Sequence, residues 1–133
     1  MDDKYINRYK SLVKSHSNLL MSQSADISDP FVLPATVQNY NLTFDLSWKV
    51  MKEVLLHEFG IEDFTGGSPS QTLRKGFSVG LIEDDTWMVM LHVRNTLAHD
   101  YDGKIALKYF HDITGKYSEL FSEFIERISS CYE

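Results

Sequence analysis

From Arg94 to Tyr101 the chain reads Arg-Asn-Thr-Leu-Ala-His-Asp-Tyr, a dense run of side chains that can do chemistry. A guanidinium stays protonated at any physiological pH and offers several donors to phosphate oxygens. An imidazole exchanges a proton near neutrality. The amide of Asn95 and the phenol of Tyr101 add donors and acceptors beside them. A fixed cation, a proton carrier and a phenol in one short stretch suit the chemistry of phosphate esters.

Spacing sets a condition on that chemistry. Five residues along a regular helix rotate by about 140°, so Arg94 and His99 do not share a face while the helix continues. They converge only if the helix ends before His99, or if two chains each supply one member. Arg94 and Tyr101, seven residues apart, share a face if the helix runs on. Arg94 also breaks the pattern of its own helix. On a helical wheel Trp87, Met90, Leu91, Leu97 and Ala98 fall in one arc, with Arg94 in its middle. A guanidinium cannot shed its charge and needs acceptors when buried. Either it pairs with a carboxylate such as Asp45, Glu83 or Asp100, or it lies on a face turned toward a second subunit or an anionic ligand.

Other candidate groups are weaker. His92 and His99 are seven apart, but no acid or cysteine is spaced to complete a metal site with them, so neither metal nor cofactor is expected. Asp100 and Asp102 read as a helix cap and turn before they read as cation ligands. Gly66-Gly67-Ser68 has the outline of an anion-binding helix start and reads better as a plain cap. Lys10 and Lys14 form a basic pair on a solvated face. Arg74-Lys75 is the basic pair nearest the motif in sequence that can steer an anionic ligand toward it, unless it too is only solvated surface.

The elements that must position these residues are helical throughout, because no segment alternates with period two. The first helix is predicted from about Asp3 to Met21, with Tyr5, Tyr9, Leu12, Val13, Leu19 and Leu20 as its apolar set. The turn-rich stretch Ser22–Pro30 is a loop. A second helix starts near Pro34 and carries Val37, Tyr40, Phe44, Trp48, Met51 and Leu55 at spacings of three and four. Gly60 stops it. Ser68, with Gln71 three residues on, caps a short helix that ends near Gly80. Asp84 or Asp85 caps a fourth helix, which runs through Ala98. After the Asp102-Gly103 turn, a last helix from about Lys104 carries Tyr109, Ile113, Tyr117, Leu120, Phe124, Ile128 and Cys131. The expected fold is an all-α antiparallel bundle of four long helices plus a short one.

Composition bounds the rest. A chain of 133 residues with 43 % hydrophobic and 24 % charged residues reads as one globular domain spanning 1–133. Seven glycines and three prolines are too few for a barrel of many tight turns. One cysteine, Cys131, makes no internal disulfide and no zinc pattern, so a reducing cytoplasm is expected. No apolar run approaches the roughly 20 residues of a membrane span, and the N-terminus does not read as a signal peptide. The net charge of −6 opposes long-range attraction to nucleic acid, while a local site built from two copies of Arg94 escapes that objection.

Arg94, four intervening residues, His99, one more and Tyr101 match the R-x4-H-x-Y motif of the HEPN superfamily, with Asn95 as its polar residue after the arginine. The likeness extends further. Val37–Lys49 resembles a helix of the nucleotidyltransferase substrate-binding proteins, Ser68–Ile82 resembles their next helix and turn, and Trp87–Leu91 leads into the motif in the same way. Asn39 departs from the family pattern. This resemblance implies a helical bundle that dimerises with its motifs facing each other. It implies a small MNT-type nucleotidyltransferase as partner, and often a toxin–antitoxin pair in which the HEPN protein is a metal-independent RNase. Arg94 and His99 would then be catalytic. Asn95 would bind substrate or orient His99, and Tyr101 would contact phosphate or carry AMP added by the partner. Any nucleotide would come only through that partner, and RNA would be the substrate. The alternative is a non-catalytic substrate-binding subunit of a nucleotidyltransferase complex.

Overall fold

The computed structural model describes residues 2–61 and 67–133, and it is all-α: among these residues there is no strand. Six helices follow in order, α1 (Asp3–Met21), α2 (Val32–Phe59), α3 (Pro69–Ser78), α4 (Thr86–Leu97), α5 (Lys104–Asp112) and α6 (Ser118–Ile128). A π-helical turn, Ile113–Tyr117, joins α5 to α6 into one rod. α2 is the hub. It packs against every other helix.

Cross-helix pairs give the directions. Arg8 meets Glu53, the Ser15 hydroxyl accepts from Thr43 at 3.0 Å, and the Ser22 hydroxyl accepts from Thr36 at 2.9 Å. Numbers rising on α1 meet numbers falling on α2, so the two are antiparallel. Tyr9 stacks on Tyr132 while His16 reaches Ser118, so α1 is antiparallel to α6 as well. Between them lies an aromatic core. Tyr40 and Phe44 of α2 meet Trp87 of α4 and Phe121 of α6, with ring centroids 5.6 to 6.4 Å apart. The Tyr40 hydroxyl donates to the Met90 carbonyl at 2.7 Å, so this buried phenol is satisfied.

Local chemistry sets the helix ends. Asp2 caps α1 by accepting from the Lys4 amide at 3.0 Å. Gly60 closes α2 at φ 66, a left-handed conformation that costs glycine nothing. The Ser68 hydroxyl accepts from the Gln71 amide at 3.2 Å, with Pro69 in the first turn of α3, as expected. Of the two aspartates expected to cap α4, Asp84 does so, accepting from the Thr86 amide at 2.9 Å. Those hydrogen bonds from Thr86, together with Lys116 at 3.0 Å, hold the Asp84 carboxyl down at about 2. α2 begins at Val32, ahead of Pro34, which lies in its first turn. Gly66 of the glycine pair before α3 lies outside the described residues.

Two expectations are corrected. Val13 and Leu20 are exposed, and the buried seam of α1 is Leu12, Ser15, His16 and Leu19. Polar residues fit there because each finds a partner: Ser15 donates to the Leu12 carbonyl at 3.0 Å, and His16 Nε2 lies 3.0 Å from the Ser118 carbonyl. On α4 the buried residues are Trp87, Met90, Val93 and Leu97, while Leu91 is only half-buried and Ala98 is exposed beyond the helix end.

The π-turn has no counterpart in the expected pattern. Widening the helix by one residue disturbs its carbonyl ladder, and two side chains from outside reach carbonyls in this stretch. Gln23 donates to Thr114, and His16 engages Ser118. Burial pushes the His16 pKa down, partly opposed by its bond to Ser118. The folded protein therefore holds this proton less tightly than the unfolded chain, and stability falls as pH drops below the unfolded value of about 6.5. In urea titrations from about pH 7.5 to about 5.5, the wild-type midpoint should fall more steeply than that of His16→Asn. Equal slopes would remove His16 as the cause.

Candidate functional site

α4 stops at Leu97, and the chain turns twice before α5. The His99 amide donates to the Thr96 carbonyl at 3.0 Å and the Asp100 amide to the Leu97 carbonyl at 3.3 Å, the tight bonds of a helix end. The helix therefore ends before His99, which meets the geometric condition for His99 to escape the helical wheel. His99 is exposed on this turn, and Tyr101 is 92 % exposed.

Asp100 builds the turn. Its two carboxylate oxygens accept from the Ile105 and Ala106 amides at 3.0 and 2.7 Å, capping the start of α5. Asp102 accepts from the Lys104 amide at 3.1 Å, and Gly103 takes φ 78 to let the chain into the helix. Both aspartates thus work as cap and turn. Among the described residues no group of three or more His, Cys, Asp or Glu side chains is placed to hold a metal ion.

Arg94 has found one of the three carboxylates considered for it. Its Nε and Nη2 donate to the two oxygens of Asp45 at 3.1 and 3.0 Å, a bidentate pair between α4 and α2. Both side chains are about one-third exposed or less. The hydrogen bonds to Asp45 raise the Arg94 pKa against the opposing effect of burial. The fork pins the guanidinium plane and leaves Nη1 without a partner among the described residues.

The pair lies in a cleft of about 240 Å³ lined by Asp45, Trp48 and Lys49 of α2 and by Leu91, Arg94 and Asn95 of α4. Tyr101 opens elsewhere. It borders an apolar groove of about 760 Å³ lined by Ile27, Leu33, Val37, Leu97 and Ala106. His99 lines neither. Within one chain the structure brings Arg94 and Asn95 together and leaves His99 and Tyr101 on the adjoining turn. Arg74 and Lys75 border a separate shallow depression with Gln71 and Ser78, away from the Arg94 cleft. The cation that does enter the cleft is Lys49, which sequence reasoning passed over. Its signal was the spacing Asp45, Trp48, Lys49, Lys52, one stripe along α2.

Residues 4–130 match the family described as "nucleotidyltransferase substrate binding protein like". No curated protein matches the chain by sequence.

Two stability measurements check this geometry. In a double-mutant cycle of Asp45→Ala and Arg94→Ala, urea denaturation should return a coupling of about 0.5–1 kcal/mol, the range for a partly exposed pair. Asp100→Ala should cost about 1–2 kcal/mol through the lost cap of α5.

Proposed function

We propose that this chain, which belongs to the nucleotidyltransferase substrate-binding-protein-like family, is the ribonuclease component of a two-component HEPN and MNT-type nucleotidyltransferase system. It acts as a homodimer, and the nucleotidyltransferase restrains it or modifies it with AMP. One observation carries the reading. The motif residues gather at one end of α4, yet Arg94 and Asn95 open into one cleft while His99 and Tyr101 stand on the exposed turn beside it. Such a half-site is completed when a second copy brings its own Arg94 and His99 alongside.

The chemistry is transesterification within RNA. His99 takes the proton from a ribose 2′-hydroxyl as that oxygen bonds to the adjacent phosphorus. The bond from phosphorus to the 5′-oxygen breaks, and the leaving oxygen takes a proton from the opposing imidazolium or from water. Arg94, held flat by Asp45, stabilises the charge that builds on the phosphoryl oxygens. Asn95, in the same cleft, donates to phosphate or orients His99. Tyr101 contacts phosphate or accepts the AMP group, and its exposure suits either role.

The second reading is a subunit without chemistry of its own that presents substrate to a nucleotidyltransferase. The apolar groove beside Tyr101 and the 80 % exposed Phe31 favour it as docking surface. Purified protein, free of any partner, should cleave total RNA in the presence of EDTA, with His99→Ala and Arg94→Ala at least about 100-fold slower. Equal cleavage by wild type and His99→Ala would falsify the catalytic assignment. No cleavage by any of them, with no growth arrest on expression, would favour the substrate-presenting subunit.

A further inference from the structure

The Arg94 cleft has a neighbour across Trp48 and Lys49. A second cleft of about 340 Å³ shares those two residues with it and lies between α2 and the start of α1. Its walls add Lys4 and Arg8 from α1 and Lys52 from α2. The two clefts together hold five of the chain's 13 lysines and arginines. Among the described residues that line them there are two carboxylates, Glu53 and Asp45, and each is engaged by an arginine, Arg8 and Arg94 respectively. In a protein of net charge −6 this is a positive channel.

Aromatic rings are set among those cations. Trp48 is partly exposed, and the Lys49 ammonium lies 5.9 Å from its ring centroid. Tyr5 lines the same cleft and meets the His57 ring edge-on at 4.7 Å. Along α2 the stripe from Asp45 to Lys52 runs over about 10 Å of helix. Cations that follow a backbone, alternating with flat rings that take bases, are the features by which proteins hold single-stranded nucleic acid. An acidic peptide would use the cations and leave the rings idle.

We propose that this channel carries single-stranded RNA away from the Arg94 site, with Lys4, Lys49 and Lys52 on phosphates and Trp48 under a base. The proposal rests on the ribonuclease reading for the identity of the strand, and it is testable apart from catalysis. Binding of a fluorescent RNA of about ten nucleotides is measured by anisotropy, in a His99→Ala background so that cleavage does not interfere. Adding Lys4→Ala and Lys49→Ala should weaken binding about ten-fold or more and make the salt slope less steep by about 1.4, the loss of two phosphate contacts on a single strand. Adding Lys10→Ala and Lys14→Ala, which change net charge equally outside the channel, should leave binding as it was. RNA should also quench the fluorescence of Trp48, since Trp87, the other tryptophan, is only 2 % exposed.

Equal losses from both lysine pairs would overturn the channel, because charge alone would then explain binding. So would displacement of the RNA by an equal concentration of free AMP, which would mark a mononucleotide pocket. RNA binding with these signatures but no cleavage by wild type would uphold the channel and remove the ribonuclease reading. Cleavage of long RNA undiminished by Lys4→Ala and Lys49→Ala would do the reverse.

Discussion

The seam between α2 and α4 is the constraint on which the candidate site depends. Two contacts of different character close it. Inside, the Tyr40 phenol donates to the Met90 carbonyl in a dry aromatic core, where an unmade hydrogen bond is expensive. At the rim, Asp45 holds Arg94 through both oxygens. The inner bond places α4 on α2, and the outer one uses that placement to aim a charge. Because α2 also touches every other helix, the orientation of Arg94 inherits the rigidity of the whole bundle. The pair serves as a lever for aiming the guanidinium more than as a source of stability, since an ion pair this exposed contributes little.

The packed helix on the Arg94 side contrasts with the exposed turn that bears His99 and Tyr101. Past Leu97 there is no helical ladder, and Asp100 and Asp102 bind the turn to the start of the next helix. The proton-carrying and phenolic groups are therefore presented to solvent from a short capped turn, while the cation is presented from a packed helix. That division suits a surface that meets its counterpart from outside. It also leaves the overall charge of −6 less informative than it first looks, because five cations line the two clefts along α2.

Much of this was legible in the amino-acid sequence, and the legible part is the local part. Gly60, Ser68 and Lys104 mark helix boundaries through caps that involve neighbours only a few residues away, so the chain spells them out. The run Arg94–Tyr101 announces itself by residue type. What was hidden is tertiary. Asp45, Glu83 and Asp100 were equivalent as partners for Arg94 until α2 was laid beside α4. Val93 was passed over for Leu91 and Ala98 because a helical wheel has no neighbours on it to say where the core lies. Ser15 and His16 look like solvent-facing residues until the hydroxyl of Thr43 and the carbonyl of Ser118 appear opposite them. Lys49 and Lys52 become part of a channel only when α1 brings Lys4 and Arg8 alongside.

The π-turn in the last rod left no mark that spacing could reveal, and it changes how that rod is to be understood. Around it two adjacent residues are buried at each of three successive turns, Ile113 with Thr114, Tyr117 with Ser118, and Leu120 with Phe121. One surplus residue has shifted the phase of α5 against α6 by about 100°. The rod thus behaves like two gears keyed at different angles on one axle, the far gear meshed with α1 and α4 and the near gear carrying the Asp100 turn. Losing a single residue here would shorten the rod by less than about 2 Å, yet it would re-time the turn that bears His99 and Tyr101. Length is nearly irrelevant at this place in the chain, and count is everything.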